Sequence, residues 1–254
     1  MRRTILILLC ALLPATACAQ ADPRTERPHM GLGDHTAMRA QLIESIRNQA
    51  RAAAHVTGVA QFDEKVLEVM GAVPRHEFVP KSLQMLAYLD SPLPLGHDQN
   101  ISQPFLIALM THLAAVRKTD IVFETGTGAG YQAAILARLA KQVFSVEVVP
   151  PLAEAAAKRL KRLGYGNVEV KTSDGFYGWA EKGPFDAIIV KEAVHYIPPP
   201  LLNQLKPGGR LVVPVGPLNK SQILKLVTKD MAGRLKHRDI LPVRFAPLQG
   251  GERI

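Results

Sequence analysis

The sequence predicts a doubly wound α/β fold, a mostly parallel sheet with helices on both faces, preceded by an N-terminal helical extension. Three observations predict it. From residue 121 onward, short apolar runs alternate with segments of helical period, the pattern of strands joined by crossover helices. The first of those runs ends in "ETGTGAG" (124–130), three glycines on alternate positions just before a helix. The composition, 47% hydrophobic and 21% charged over 254 residues, suffices for one sizeable core.

The elements follow in order. "MRR", the apolar run "TILILLCALL" and the small residues after Pro14 form a secretory signal over residues 1–19. The run is too short to span a bilayer, which needs roughly 20 residues. Ala17-Cys18-Ala19 fits a cleavage site. Ala15-Thr16-Ala17-Cys18 equally fits a lipobox, which would leave Cys18 as a lipid anchor. The expected location is therefore periplasmic or secreted, the alternative being a cytoplasmic protein with a misread start. Residues 20–34 read as a polar linker, 35–118 as N-terminal helices with a loop, and 119–254 as the α/β core.

Within 35–118, Met38, Leu42, Ile46 and Ala50 fall at helical spacing, and "DEKVLEVMGAV" (63–73) is a second helix stopped by Pro74. "LDSPLPLGHDQNISQP" (89–104) has the Pro, Gly, Asp and Asn density of an ordered loop, and Pro104 suits the first turn of the helix over 105–116. The core continues with "IVFE", a helix, "QVFSVEV", a helix ended by Gly164, then "VEVKT", "DAIIV", "GRLVVPV" and "QILKLVT". The short link between the last two points to an antiparallel pair.

Several chemistries are excluded. The only cysteines are Cys10 and Cys18, so the mature domain has no structural disulfide, thiolate zinc site or cysteine nucleophile. The eight histidines show no ligand spacing, and no metal is expected. Net charge is +9, but no aromatic-interleaved basic stripe is present. Lys158, Arg159, Lys161 and Arg162 read as a solvated helix face, and no nucleic acid is expected as partner.

In an open α/β sheet, ligands bind outside the carboxyl ends of the strands. The glycines at 126, 128 and 130 do not match the dinucleotide spacing G-x-G-x-x-G, and no phosphate-loop Lys-Ser/Thr follows. Glu124 would repel a pyrophosphate and favour a cationic ligand end, such as an ammonium. That is the arrangement of S-adenosylmethionine (SAM) methyltransferases. Glu147, 23 positions on (147 − 124), stands at the end of the second strand, where an acid can accept ribose hydroxyls. Asp174, beside Gly175 after the third strand, could accept from an adenine amino group. The expected cofactor contacts are thus Glu124, Gly126, Thr127, Gly128, Gly130, Glu147, Asp174 and Gly175.

From about residue 66 to 249 the chain resembles the protein-L-isoaspartate O-methyltransferase family. The resemblance is carried by "VPRHEFVP" (73–80), "AYLDSPLPLGHDQNISQP" (87–104), "ETGTGAGYQAAILARLA" (124–140), "DGFYGW" (174–179), "PFDAIIV" (184–190), "LKPGGRLVVPVG" (205–216) and "VRFAPL" (243–248). It implies a Rossmann-like SAM-dependent fold and methylation of the free α-carboxylate of L-isoaspartyl (and D-aspartyl) residues in damaged proteins or peptides. It implies Ser102 as the active-site serine, with Gln99, Asn100 and Ile101 beside the substrate. Two departures stand out. The family's Gly-Gln-Thr-Ile-Ser is Asp98-Gln99-Asn100-Ile101-Ser102 here, and Lys191-Glu192-Ala193 replaces a small neutral triplet after the fourth strand. Lys191 could attract a substrate carboxylate, and Glu192 would repel one unless the two pair. The rival readings are an exported methyltransferase for another small acceptor and a non-catalytic binding protein.

Overall fold

Helix α1 (Thr36–Thr57) buries Leu42, Ile46 and Ala50, one stripe at a spacing of four. The computed structural model describes residues 35–218 and 220–250, and the expected signal and linker at 1–34 lie outside them. From Thr36 on the chain folds as one unit. Helix α2 (Glu64–Ala72) is capped by Asp63, whose carboxylate accepts from the Lys65 amide at 2.9 Å, and it ends just before Pro74. Two short 3₁₀ turns, Arg75–Phe78 and Lys81–Leu86, lead into the segment expected to be a loop.

That segment is partly a hairpin. Strands β1 (Leu93–Gly96) and β2 (Gln99–Ile101) pair antiparallel. His97 and Asp98 make the turn with φ of 52° and 55°, as a two-residue hairpin turn of the primed kind requires. Helix α3 (Pro104–Ala114) follows, with Pro104 in its first turn.

The sheet is built from β3 (Ile121–Thr125), β4 (Gln142–Glu147), β5 (Val168–Thr172), β6 (Phe185–Ile189), β7 (Leu205–Val215), β8 (Gln222–Lys229) and β9 (Leu235–Val243). Their order is β5-β4-β3-β6-β7-β8-β9. The pairs from β5 to β7 are parallel, and β7-β8 and β8-β9 are antiparallel, as the short link implied. The chain leaves β3 toward β4 and β5, then returns to β6 on β3's other side. The carboxyl ends of β3 and β6 therefore flank the switch point where such sheets bind ligands.

Helices α4 (Tyr131–Leu139), α5 (Pro150–Arg162) and α6 (Pro199–Asn203) fill the crossovers. Side chains alternate between faces. Val122, Ala187 and Ile189 join one core with Ile107, Met110, Ile135 and Leu160, and Phe123, Phe185 and Ile188 join the other with Trp179 and Leu201. The cover is unequal. One face carries the long helices, and α6 with the turns around Gly175–Lys182 covers the other. Strand β9, absent from the expected series, is an edge strand whose first five residues are exposed. "LKHRD" carries no apolar run to betray it.

Candidate active site

The loop after β3 is fastened to β4 by side chains. The Thr127 amide donates to the Val146 carbonyl at 3.1 Å. Ser145 Oγ donates to Glu124 Oε1 at 2.7 Å and lies 2.6 Å from Thr127 Oγ1. The Glu147 carboxylate accepts from the Gly128 amide at 2.8 Å and the Val149 amide at 3.0 Å. An acid at that strand end thus holds the loop and still presents oxygen lone pairs to the space beside it.

The glycines serve different ends. Gly126, at φ 61°, gives room to a protein side chain, because a Cβ there would overlap Glu192 Oε1. Gly130 sets the start of α4 at φ 88°, and a Cβ there would press on Leu160 at 3.1 Å. Gly175 lets its turn lie against Thr125, with 2.7 Å to Cγ2 for an added Cβ.

A cavity of about 540 Å³ opens at the switch point, the size of a small-ligand site. Gly126, Thr127, Gly128, Glu147 and Gly175 line it, and so do Gln99, Asn100, Ile101 and Ser102. Lys191 and Glu192 line the same cavity. Three expected cofactor contacts do not reach it. Glu124 is fully buried beneath the loop, between Ser145 and Lys191. Gly130 faces α5 instead. Asp174 caps its own turn, accepting from the Phe176 amide at 2.9 Å. Trp179 packs in the core against Phe144, with ring centroids 5.5 Å apart. His97 and His195 are exposed and away from the lining.

Lys191 and Glu192 do not pair with each other. Lys191 Nζ lies 3.1 Å from Glu124 Oε2, an ion-pair contact rather than an aligned hydrogen bond. Glu192 Oε2 accepts from Thr125 Oγ1. Burial raises the pKa of Glu124, and Lys191 and Ser145 oppose the rise. Burial also raises Glu192, to about 7, against the hydrogen bond from Thr125 and the charge of Lys191. Glu147 and Glu124 push it the same way as burial.

Two supports escaped sequence reasoning. Arg75 is fully buried and ties the hairpin region together. Its Nε donates to the Ala87 carbonyl at 2.9 Å, and Nη2 donates to the carbonyls of Ser102 at 2.9 Å and Ser91 at 3.4 Å. The guanidinium lies over the Tyr131 ring, 4.8 Å from its centroid. The second support is the C-terminal segment from Leu241 to Gln249, which closes the cavity. It docks through Ala193 N–H to the Ala246 carbonyl (2.7 Å), Leu248 N–H to the Ala193 carbonyl (2.9 Å) and Phe245 N–H to Gln222 Oε1 (2.9 Å). The signal for both was present in "VPRHEF" and "VRFAPL", but as resemblance without a physical role.

The residues fit a SAM-sized ligand. The glycine loop leaves backbone open to contact, and the Glu147 carboxylate stands where it can accept from both hydroxyls of a ribose. Among the described residues no group of three or more His, Cys, Asp or Glu could hold a metal. A glycine loop after the central strand, an acid ending the next strand and an acceptor pocket facing both define the class of SAM-dependent methyltransferases. Comparison with known proteins narrows the class. Residues 41–253 match the family described as protein-L-isoaspartate(D-aspartate) O-methyltransferase, and the chain belongs to that family.

Its relatives include a protein-L-isoaspartate O-methyltransferase 2 of Syntrophobacter fumaroxidans. That protein is 48% identical over 247 residues, 97% of this chain and 96% of its own length. Another, a protein-L-isoaspartate O-methyltransferase 1 of Cupriavidus necator, is 51% identical over 212 residues, 84% and 82% of the two chains. A solved protein-L-isoaspartate O-methyltransferase superposes with a TM-score of 0.71 at 30% identity, over 84% of this chain and 66% of that one. A Plasmodium falciparum structure, titled a putative member in complex with S-adenosyl-L-homocysteine, shares the fold. Its TM-score is 0.70 at 21% identity, over 83% of this chain and 98% of that one.

Proposed function

We propose that the protein catalyses SAM-dependent methylation of the free α-carboxylate of L-isoaspartyl and D-aspartyl residues in damaged proteins and peptides, the step that initiates their repair. One observation carries this reading. A single cavity is lined by both the glycine loop at Gly126–Gly128 and the Gln99–Ser102 hairpin, so donor and acceptor sites share one space.

When bound, SAM supplies an electrophilic methyl on a sulfonium. The protein's own residues do the rest by positioning. An α-carboxylate has a pKa of about 3.5 and is ionised at neutral pH, so no general base is required. Ser102 lines the cavity with its backbone held by Arg75, which suits it to orient the carboxylate and not to attack. The hairpin and the C-terminal segment line the cavity, and water excluded there by bound substrates would favour a reaction in which opposite charges cancel.

The test is transfer of labelled methyl to an isoaspartyl peptide and to the same peptide with normal aspartate. Transfer to the first alone is expected. Ser102→Ala should lower kcat/KM by about 10- to 100-fold, the worth of one hydrogen bond to a charged group. Equal transfer to both peptides would refute the substrate assignment. We further propose export, on the signal-like residues 1–19, with either cleavage or lipidation at Cys18. An intact Met1 found in the cytosolic fraction would refute it.

A further inference from the structure

The glycine loop holds a carboxylate that the sequence pattern did not assign to it. Glu124, two residues ahead of the first glycine, is sealed off. It is fully buried, it does not line the cavity, and its two oxygens face Ser145 Oγ and Lys191 Nζ. Glu192 is in the opposite condition. Its carboxylate lies directly against Gly126, close enough that a methyl group there would overlap it, and it lines the cavity. One oxygen is occupied by the Thr125 hydroxyl. Among the described residues no donor is bonded to the other.

We propose that Glu192 receives the ammonium of the methyl donor's amino-acid end in this protein, and that Lys191 makes this possible by neutralising Glu124. The inference rests on the SAM-dependent reading above and deepens it. The charges facing Glu192 support it. Glu147 across the loop and Glu124 beneath it are both acidic, and the adjacent Lys191 is the neighbouring cation. Lys191 points its ammonium to Glu124, and only its backbone amide returns, to Thr125 Oγ1 at 3.3 Å. Around Glu192, three carboxylates against one lysine leave this part of the ligand-free site short of positive charge, and an ammonium beside Gly126 supplies it; Arg244 also lines the cavity but is not among the charges acting on Glu192. The raised pKa of Glu192 follows from that shortage and from burial, and a bound ammonium would lower it again.

Calorimetry on the full protein tests this with S-adenosylhomocysteine, which carries the ammonium, and 5′-methylthioadenosine, which lacks the amino-acid end. In the unaltered protein the ratio of the two affinities should fall by roughly 20-fold between pH 7.5 and 5.5, as Glu192 protonates through about 7. The Glu192→Gln variant should bind S-adenosylhomocysteine about 10- to 100-fold more weakly, keep its affinity for 5′-methylthioadenosine, and lose the pH dependence of the ratio. Unchanged or tighter binding of S-adenosylhomocysteine by the variant would overturn the proposal, tighter binding meaning that the carboxylate obstructs the site. A flat ratio in the unaltered protein would overturn it independently of how the variant folds. Failure of the unaltered protein to bind either nucleoside would instead sink the SAM-dependent reading itself.

Discussion

Glu192 also has a consequence for the ligand-free protein at the scale of a single residue. Its pKa stands at about 7 in the fold against an ordinary 4.5, chiefly because burial disfavours the charged form. For an acid raised in this direction, folding holds its full advantage below 4.5 and loses it as pH climbs through 7. The loss is at most about 3 kcal/mol, and less in practice because the side chain is partly open to the cavity. Glu192→Gln should therefore raise the urea midpoint at pH 8 and leave it nearly unchanged at pH 4.5. An equal shift at both pH values would mean that packing, not charge, sets the cost. A site residue that destabilises its own fold is a familiar trade of stability for binding.

At the scale of elements, Arg75 acts as a strut between the 3₁₀ turn that carries it and the β1–β2 hairpin. It satisfies three carbonyls from Ala87, Ser91 and Ser102. Removing the guanidinium would leave buried acceptors without donors, at about 1–3 kcal/mol each. Arg75→Met should lose at least about 3 kcal/mol on urea denaturation. In what remains folded, it should raise the peptide KM several-fold with little change in S-adenosylhomocysteine affinity, since Ser102 moves and the glycine loop does not. A parallel rise in both constants would contradict that division.

The same scale shows where the sequence could and could not be read. Periodicity found α1, α2 and the strands from β3 to β8, because each has a buried stripe or run. It missed the hairpin, whose two strands together are only seven residues long and whose turn uses His-Asp in place of Asn-Gly. It missed β9, an edge strand with charged residues outward. Of the residues that line the cavity, Gly126, Gly128, Glu147 and Ser102 were singled out from spacing or resemblance. Glu124 was legible as important but not in its role, because nothing in a linear sequence says that Lys191 reaches back across 67 residues (191 − 124) to cover it.

At the scale of the whole molecule, the cavity is closed by parts of the chain far apart in sequence. Its wall runs from Gln49 on α1 to Gln249 near the other end. One of the contacts holding the closing segment after β9 is a buried peg, Gln222 at the start of β8. Its Oε1 accepts from the Phe245 amide at 2.9 Å, and its Nε2 donates to the carbonyls of Pro217 (2.9 Å) and Lys220 (2.6 Å). The side chain is fully buried, so its loss cannot be made good by water without opening the site. Gln222→Ala should free the segment while leaving the parallel strands in place. The amides of Ala193 and Leu248, which hold the segment through each other's neighbourhood, should exchange with deuterium at least about tenfold faster, a local opening eased by about 1.4 kcal/mol, while those of β3 and β4 keep their protection. Because the segment lines the cavity alongside both the glycine loop and the hairpin, S-adenosylhomocysteine affinity and peptide KM should worsen together, the opposite of the split expected for Arg75. If only the peptide constant moved, the C-terminal segment would belong to the acceptor side alone, and closure of the donor side would rest on the glycine loop and Glu192.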